Sequence, residues 1–473
     1  MLTDNGPYAK LRVLLHWHTR YAGERLARQQ VVVGPMLETK QGPDGYTSIN
    51  VPFGEYDLKA VVDRLPAHQH PDLIVVVLDS TKTSTPRNLA AIDCPKALIP
   101  GDTHHLAAPI RYMLGVILAE PYDVLVCDHF PQHLHYFWHA GRGRIVWVPG
   151  IWVANYSPAF EEQRTGHPVF IGQTGPSHPY RQHVLARIRE AGLPLETGMA
   201  PPPEAARLYS RAPLTLNCSL NGDFNKRVFE ALGHGGFLVT DRLSPETGLS
   251  RIFPETGLVT YDGVDDLIET LRHYLAHPAE ALAIARIGHR AYHEQHLPAR
   301  KQRQVLSSIL GDGRYSAFAW HDPRAETPEG AETAGLLERI LVYEYLQEQQ
   351  RLATGRLTVA ALASVSARTL TDIADLSRLD CLRLSADEDA PAALIRRLGY
   401  SKRIGATAGA SRADILLATE TDMASGAATS KAAACGAARI VITDASRSGS
   451  LPDIGVTGYT AIGHEPWVLA RQE

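Results

Sequence analysis

The sequence lacks the features that mark secreted, membrane-spanning and zinc-ribbon proteins. Its five cysteines are scattered and include no Cys-x-x-Cys pair, which argues against a disulfide framework and fits a reducing compartment. No stretch approaches the run of about 20 apolar residues that spans a bilayer. The first residues also lack the pattern of a cleavable signal peptide. We therefore expect a cytoplasmic protein without a membrane span.

An excess of charge of either sign is also lacking. The chain has 47 Lys and Arg against 51 Asp and Glu, a formal net charge of -4, so no surface for binding a polyanion is indicated. Charged residues make up 21% and apolar residues 44% of the chain, as in ordinary soluble proteins. A length of 473 residues is sufficient for two or three domains with sizeable cores.

Short apolar runs alternate with helical stretches through residues 1–312, which is typical of α/β domains with mainly parallel sheets. In residues 1–155 the strands are expected at Leu11–His16, Leu73–Leu78, Val124–Cys127 and Ile145–Val148. In residues 156–312 they are expected at Val169–Gly172, Leu214–Asn217, Phe237–Thr240 and Leu258–Tyr261. The pattern predicts two Rossmann-like domains that bind ligands outside the carboxyl ends of their strands.

Two further segments follow the second domain. Residues 313–332 are rich in Gly, Pro, Asp and Glu, which predicts a linker. Residues 333–473 predict a C-terminal α/β domain of unknown role that starts with an amphipathic helix, Thr333–Leu352. The apolar face of this helix packs either internally or against another subunit, so a homo-oligomer is an open alternative. Gly405–Gly409 is a glycine-containing stretch of the kind that a methyltransferase cofactor loop uses, and an interaction domain is the other interpretation.

The segment Asn217–Asp241 predicts a strand, a polar loop, a helix and a second strand. Asp223 is expected to cap the helix, and Lys226 and Arg227 fall in its first turn. The helix dipole disfavours cations there, because the exposed N–H groups already carry partial positive charge. A bound anion would stabilise this arrangement, and Glu230, one turn further on, suits the hydroxyl groups of a sugar. The segment therefore predicts a site for a sugar-linked phosphate.

The stretch RVFEALGHGGFLVTD, together with the Asp-Gly and AHP segments downstream, resembles the second domain of CgeB-type glycosyltransferases. These enzymes are related to the retaining glycosyltransferases of family 4, which have the GT-B fold. The resemblance implies a GT-B-like pair of Rossmann-like domains, a nucleotide sugar as the donor, and no metal ion or other cofactor. It also implies that Glu230 binds the ribose of the donor. Gly222 stands where family 4 usually has a second glutamate.

The predicted donor site lies on the second domain. Phe170–Gly175 is a strand that runs into a glycine-containing loop, and such loops bring backbone N–H groups to a diphosphate. The resemblance implies that this loop and a basic residue of the next helix bind the donor diphosphate. The predicted donor-binding residues are Gly172, Thr174, Arg181, Asn217, Asp223, Asn225, Lys226, Arg227, Glu230 and Gly235.

The first domain supplies polar residues at the expected ends of its strands. His16-Trp17-His18 ends the first strand and runs towards Gly23, where related enzymes place a glycine loop against the donor phosphate. Pro100–His105 resembles the Asp-x-His-His stretch of the same group, and a carboxylate there can hold a histidine in one tautomer. The predicted catalytic residues are His18, Asp102, His104 and Arg227. The predicted acceptor-side residues are Gly23, His105, Asp128 and His129.

Four histidines invite comparison with a zinc site. His129 and His133, and also His135 and His139, have the i, i+4 spacing that places two zinc ligands on one helix face. The two pairs differ in phase, however, and Pro131 interrupts the first pair. Neither pair has the glutamate of an HExxH motif. We therefore expect no metal site and interpret these imidazoles as a lining of the acceptor side.

The leading hypothesis is a glycosyltransferase, hexosyl- or pentosyl-transferring, that moves a sugar from a nucleotide sugar to an acceptor. The resemblance to family 4 implies retention of the anomeric configuration without a metal ion. An inverting enzyme would instead need a side-chain base, and His18 and His104 are the candidates. The acceptor is open among a glycan, a protein, a small molecule and a modified nucleic-acid base. The alternatives are a sugar-nucleotide epimerase on the same fold and a catalytically inactive nucleotide- or partner-binding protein.

Overall fold

The structure, a computed structural model, describes residues 6–19, 25–42, 45–141, 144–153, 156–176, 178–320, 335–353, 357–376, 382–386, 404–406, 412–444, 459–464 and 467–471. Of the predicted site residues, Gly23 lies outside these ranges. Three large β-sheets follow one another along the chain, each accompanied by helices. This architecture confirms the predicted α/β class, with a GT-B-like pair of Rossmann-like domains and a C-terminal α/β domain.

The first sheet has eight strands, and its centre is built from continuous apolar runs. Leu73–Leu78 is buried along its whole length, as expected for a parallel strand covered on both faces. The strands are β1 (Arg12–Trp17), β2 (Gln29–Gly34), β3 (Lys40–Gln41), β4 (Tyr46–Asn50), β6 (Leu73–Leu78), β8 (Lys96–Pro100), β9 (Val124–Cys127) and β10 (Ile145–Trp147). Their spatial order is β10-β9-β8-β6-β1-β2-β4-β3; β3 pairs antiparallel with β4, and the other neighbours are parallel.

Smaller elements surround this sheet. β5 (Gly54–Asp57) and β7 (Ser84–Arg87) form a separate two-stranded parallel sheet. The helices of this part of the chain are α1 (Leu58–Val62), α2 (Pro109–Ala119) and α3 (Leu134–His139). The four strands expected from the sequence are confirmed to within a residue or two, and the sequence analysis missed the others.

The second sheet has five parallel strands. They are β11 (Val169–Ile171), β12 (Glu196–Gly198), β13 (Thr215–Leu216), β14 (Leu238–Asp241) and β15 (Val259–Tyr261), in the spatial order β12-β11-β13-β14-β15. The helices are α4 (Pro179–Glu190), α5 (Pro202–Arg211), α6 (Lys226–Gly233), α7 (Leu249–Ile252), α8 (Val264–Ala276) and α9 (Pro278–Gln295). All four predicted strands are present, and β12 was not predicted.

The next helix returns to the first domain. α10 (Pro298–Leu310) buries Val305, Leu306 and Ile309 in the core that also holds Val75 of the first sheet. The sequence analysis placed this helix in the second domain, with a boundary at residue 312, and the packing corrects that assignment. The spacing of apolar residues predicts a helix but cannot reveal which sheet the helix covers.

The third sheet has seven strands. They are β16 (Leu357–Ala361), β17 (Leu382–Ala386), β18 (Ile404–Ala406), β19 (Ile415–Ala418), β20 (Arg439–Ile442), β21 (Tyr459–His464) and β22 (Trp467–Arg471). Their order is β18-β17-β16-β19-β20-β22-β21, with β22 antiparallel to both neighbours. The helices are α11 (Leu336–Leu352), α12 (Ala367–Ala374), α13 (Glu420–Ala424) and α14 (Ala427–Cys435). Gly405 lies inside β18 rather than in a loop after it, and residues 407–409 of the proposed cofactor loop lie outside the described residues.

The apolar face of α11 is covered within the chain. Its residues Ile340, Tyr343 and Leu346 are buried in one cluster with Ile110 and Tyr136 of the first domain. Of the two alternatives for this face, the structure therefore shows internal packing. None of the helices in the described ranges, α11 included, combines the length and the apolar character needed to cross a membrane.

Replacing Leu306 with alanine should destabilise the first domain, because this side chain is fully buried in the core of the first sheet. We expect the free energy of unfolding to fall by about 2–5 kcal/mol, the usual range for truncation of a buried leucine. Urea unfolding followed by tryptophan fluorescence measures the loss. Leu310→Ala is the matched control, since Leu310 is 37% exposed on the same helix. Equal losses in the two variants would contradict this packing of α10.

Candidate functional site

Each of the first two sheets has a switch point. At this point one chain connection runs to a strand on one side, and the next connection runs to a strand on the other side. β1 lies between β2 and β6 in the first sheet, and β11 lies between β12 and β13 in the second. Open α/β sheets form a crevice outside the carboxyl ends of the strands at such a point, and ligands bind in it. His18 follows β1, and Gly172 follows β11. Both predicted motif loops therefore lie at switch points.

Arg227 extends from the first turn of α6 to the end of β11 and is only 8% exposed. Its Nε donates to the carbonyl oxygen of Ile171 at 2.5 Å, and its Nη1 donates to Oδ1 of Asn217 at 2.6 Å. Gly172 makes this position available, because a Cβ at that residue would overlap Nη2 of Arg227. The glycine after β11 is therefore required for space around the guanidinium group.

Asn225, and not Asp223, caps α6. The side chain of Asn225 accepts from the backbone N–H of Arg227 at 3.1 Å, and its Nδ2 donates to Oδ1 of Asn217 at 3.0 Å. Asp223 instead accepts the backbone N–H of Leu220 inside the preceding loop. The prediction for Asp223 was wrong because aspartate and asparagine are about equally good caps, and both stand just before the helix.

Arg181, on α4, is a second buried cation near Arg227 and is 7% exposed. Its Nε donates to the carbonyl oxygen of Cys218 at 2.9 Å, and its Nη1 donates to that of Gln173 at 3.3 Å. Within the described ranges, neither guanidinium group is hydrogen-bonded to a carboxylate. Burial, and then the charge of Arg181, lower the pKa of Arg227. Asp223 and Glu230 act on Arg181 and Arg227, respectively, by their charge alone. Two buried like charges without a hydrogen-bonded carboxylate make this edge of the sheet suitable for a polyvalent anion.

Lys226 and Glu230 continue the same surface along α6. Nζ of Lys226 lies 3.7 Å from Oε1 of Glu230, and the two side chains are 50% and 29% exposed. Burial raises the pKa of Glu230, against the opposing effects of Lys226 and Arg227. Tyr209 of α5 is close to both Arg227 and Glu230. A half-buried carboxylate in this position is able to accept hydrogen bonds from the hydroxyl groups of a bound sugar.

Two other predicted donor residues lie at different places. Thr174 belongs to the loop after β11, and its carbonyl oxygen accepts from Gln182 at 2.7 Å. Gly235 lies beyond the carboxyl end of α6, and this helix of 8 residues separates it by about 12 Å from Lys226. Its φ of +74° ends the helix, and a Cβ would lie 2.9 Å from Phe160. Gly235 therefore has a role in helix termination, and its contact with the donor stays a prediction.

Asp102, His105 and His129 form a polar wall on the first-domain side of the crevice. Asp102 lies 3.1 Å from Nε2 of His129 through Oδ1 and 3.6 Å from Nε2 of His105 through Oδ2. Burial lowers the pKa of His129, but the hydrogen bond and charge of Asp102 outweigh it and raise the pKa to about 9. Burial also opposes ionisation of Asp102, yet the histidines around it hold its pKa well below the usual range. At neutral pH the two groups therefore form an ion pair.

His104 lies deeper in the same wall and is neutral. It is 2% exposed, and its ring stacks on Phe130 with 4.7 Å between centroids. Burial, and then the charge of His105, hold the pKa of His104 well below its usual range. Its Nε2 lies 3.8 Å from Oδ2 of Asp223, and burial raises the pKa of that carboxyl group. This contact joins the first and second domains inside the crevice.

His178 faces the first domain from the beginning of α4. It is 8% exposed, and burial, followed by the charges of Arg181 and His105, lowers its pKa to about 4. The charges of Arg181, in the second domain, and of His105, in the first domain, both act on the ring of His178. The polar residues of the two domains therefore face one crevice.

His18 is poorly placed to act as a base. Its Nε2 lies 2.8 Å from Oδ2 of Asp79, and its Nδ1 lies 3.3 Å from the carbonyl oxygen of Val77. Both ring nitrogens face oxygen acceptors, so neither is free to take a proton from a substrate hydroxyl. The structure places His18 at the predicted edge of the sheet but in a structural hydrogen-bond pair.

Asp128 also has a structural position. Its Oδ1 accepts the backbone N–H groups of Gly150 at 2.8 Å and Ile151 at 3.0 Å, where the chain crosses between the domains. A carboxylate oxygen bonded to two N–H groups is fixed on the backbone rather than on a ligand. Oδ2 of Asp128 lies 3.9 Å from Nδ1 of His129, and the acceptor-side role stays a prediction.

The histidines with i, i+4 spacing have separate partners. His133, His135 and His139 contact Thr103, Asp372 and Arg368 at 3.1, 3.3 and 2.9 Å, respectively. In the described part of the chain, one group has the proximity of metal ligands, with its donor atoms within 4.8 Å of one another: Asp102, His104 and His105. One member of this group, Asp102, is bound to His129.

Several polar residues of the crevice were missed from the sequence. Asp79 directly follows the buried strand β6, as Asp128 directly follows β9. The search for polar residues at strand ends would therefore have found it. His178 and Tyr209 stand on helices without a motif of their own. Tyr343 approaches His104 from a position 239 residues away along the chain. No local pattern could have indicated that contact.

Residues 179–307 match the model of a family described as glycosyl transferase-like. This segment includes Arg181, Arg227 and Glu230, and the match supports a glycosyltransferase. No curated protein matches the sequence.

Several solved structures are similar to the chain. Sucrose-phosphate synthase from Thermosynechococcus elongatus is 12% identical, with 64% of this chain and 99% of that chain covered and a TM-score of 0.43. HepE from Anabaena, in complex with UDP and glucose, is 12% identical, with 64% and 100% covered and a TM-score of 0.44. WaaG, a glycosyltransferase involved in lipopolysaccharide biosynthesis, is 14% identical, with 63% and 100% covered and a TM-score of 0.42. More than a third of this chain lies outside each alignment.

Gly172→Ala should weaken the binding of inorganic pyrophosphate by about tenfold or more, because a Cβ displaces Arg227 and removes a charge-assisted hydrogen bond. Isothermal titration calorimetry measures the affinity. Gly175→Ala is the matched control in the same loop, since a Cβ there has no neighbour within 4 Å. If Gly172→Ala bound pyrophosphate as tightly as the wild type does, the anion would not lie against Arg227.

Asp102→Asn should lower stability in a pH-dependent way. The folded-state pKa of His129, about 9, exceeds its ordinary value of 6.5. The ion pair therefore stabilises the fold fully below about pH 6.5, and the stabilisation is lost as the pH rises through 9. We expect the difference in unfolding free energy between wild type and variant to be largest near pH 6 and to shrink towards pH 9. Urea unfolding across this range tests it, and a difference that does not vary with pH would be inconsistent with the pair.

Proposed function

We propose that this protein is a nucleotide-sugar-dependent glycosyltransferase that retains the anomeric configuration and needs no metal ion. The observation on which the proposal depends is the pair of buried guanidinium groups, Arg181 and Arg227, at the switch point of the second sheet. The family match over residues 179–307 supports the same class of activity.

The donor would bind mainly to the second domain. Its diphosphate would lie against Arg181, Arg227 and the beginning of α6, where the helix dipole favours an anion. Glu230 would accept hydrogen bonds from the two ribose hydroxyls, which suits a carboxylate with two oxygens. The half-exposed position of Lys226 beside Glu230 supports a contact at the outer side of the same nucleotide.

Catalysis would depend on stabilising the leaving group. Negative charge grows on the diphosphate as the bond to the sugar breaks, and preorganised cations at that position lower the barrier. Arg227 is held by Ile171 and Asn217, so its orientation is set before the donor binds. Cationic side chains in this arrangement supply the neutralisation that a divalent metal ion gives in other transferases.

The acceptor would approach from the wall of Asp102, His105 and His129. Two features support retention, in which the leaving phosphate takes the acceptor proton. The resemblance to family 4 implies it, and His18 has no nitrogen free to serve as the base of an inverting enzyme. His104 is neutral, but its burial at 2% exposure makes direct contact with an acceptor hydroxyl difficult.

The decisive experiment measures nucleoside diphosphate release from a panel of UDP-, GDP- and ADP-sugars, with and without candidate acceptors. Arg181→Met should lower kcat by about 10²–10³, the usual effect of removing one preorganised donor. Arg187→Met is the matched control on α4, because Arg187 pairs with the exposed Asp265 at the surface. Glu230→Ala should raise the donor KM about tenfold or more through loss of the ribose contacts.

The same assay separates the alternatives. Turnover that requires an acceptor supports a transferase, whereas an isomerised sugar formed without acceptor would indicate an epimerase. Nucleotide binding without turnover of any donor would indicate an inactive binding protein. NMR of the product decides between retention and inversion. Loss of activity in EDTA would overturn metal-independence and direct attention to Asp102, His104 and His105.

A further inference from the structure

One backbone carbonyl group of the first domain accepts hydrogen bonds from both other domains. The oxygen of His104 accepts from Nδ2 of Asn221 in the second domain at 2.7 Å and from the hydroxyl of Tyr343 in the C-terminal domain at 3.3 Å. The ring of Tyr343 also packs edge-on against His133, with 4.8 Å between centroids. Three domains therefore meet at a single peptide group next to the wall formed by Asp102 and His105.

The segment after His104 has an unusual backbone. Leu106 has a φ of 72° and Ala108 a φ of 49°, a left-handed region that residues with a side chain seldom occupy. Such conformations are unfavourable and persist only where the surrounding structure holds them. The position of this segment therefore depends on contacts from outside it.

Glu344 of the C-terminal domain fixes the far end of the segment. Its Oε1 accepts the backbone N–H groups of Ile110 at 2.9 Å and Arg111 at 3.0 Å, and its Oε2 accepts Nε of Arg111 at 2.5 Å. These N–H groups begin α2, whose N-cap residue Ala108 provides no side-chain cap. A carboxylate from another domain therefore caps this helix, where negative charge is favoured.

Further buried contacts hold the C-terminal domain in this position. Asp372 accepts Nε of Arg339 at 3.0 Å and lies 3.3 Å from Nε2 of His135 in the first domain. Asp375 lies against Gly222 in the loop before α6, where a Cβ would be 2.6 Å from its Oδ1. The C-terminal domain therefore contacts both halves of the crevice.

We propose that the C-terminal domain is a positioning element of the active site, acting through Tyr343 and Glu344 on the segment His104–Ile110. The inference rests on the proposed function, because the segment adjoins the wall that faces the donor. Tyr343 fixes the peptide group of His104, and Glu344 fixes the start of α2. Loss of these contacts lets the strained segment relax and moves His105 away from the reacting sugar, while the donor site on the second domain stays intact.

Tyr343→Phe removes the hydroxyl group and keeps the ring. We expect kcat for sugar transfer to fall about five- to tenfold, as for the loss of one buried hydrogen bond, while the donor KM stays within about twofold. Tyr345→Phe is the matched control on the same helix, because its hydroxyl accepts from Arg439 within the C-terminal domain at 3.1 Å. This control should leave kcat and KM unchanged.

Amide hydrogen exchange tests the same inference without relying on turnover. Residues 101–110 should exchange faster in Tyr343→Phe than in wild type or Tyr345→Phe, while residues 226–233 of α6 stay unchanged. If the wild-type protein turns over no donor, the proposed function is wrong. The exchange data still show whether Tyr343 positions the segment His104–Ile110. Equal exchange of residues 101–110 in the two variants overturns the inference. So does a Tyr343→Phe variant whose donor KM rises as kcat falls, because that places the effect on donor binding rather than on the first-domain segment.

Discussion

The burial of two guanidinium groups at the end of the second sheet determines the arrangement of the residues around them. Arg181 and Arg227 are 7% and 8% exposed, so each loses most of its hydration. Carbonyl oxygens and the amide of Asn217 replace part of that hydration but bring no negative charge. Gly172 has to remain without a side chain, and Asn217 has to connect the cap of α6 to Arg227. An arrangement with this excess of buried positive charge gains stability from a bound anion.

Burial determines the charge state of two histidines in the crevice. It lowers the pKa values of His178 and His104, and the charges of Arg181 and His105, respectively, lower them further. His129 is the exception because Asp102 is bonded directly to it. The crevice therefore combines fixed cations and the neutral His178 on the second domain with an ion pair and the neutral His104 on the first. This separation suits a ligand whose negative charge is confined to one end.

Much of the fold followed from the sequence, whereas the details of the site did not. The apolar runs at Leu73–Leu78 and Val124–Cys127 predicted β6 and β9 to the residue, because strands buried on both faces have an unambiguous composition. The cluster of Lys226 and Arg227 led to the crevice because cations at a helix start conflict with the dipole. The capping role of Asp223 was wrong, since it depends on contacts that the local pattern does not contain. The assignment of α10 failed for the same reason.

The return of α10 to the first domain means that the polypeptide passes between the first two domains twice. One passage is tied at Gly150 and Ile151 by Asp128, and the other precedes Pro298. The two domains are therefore connected at two places along the chain rather than one. Gly150 packs against Phe229 of α6, so one of these passages adjoins the helix that bears Arg227. The covalent crossing and the anion pocket thus share a helix, and a change at Gly150 would reach Arg227 through Phe229.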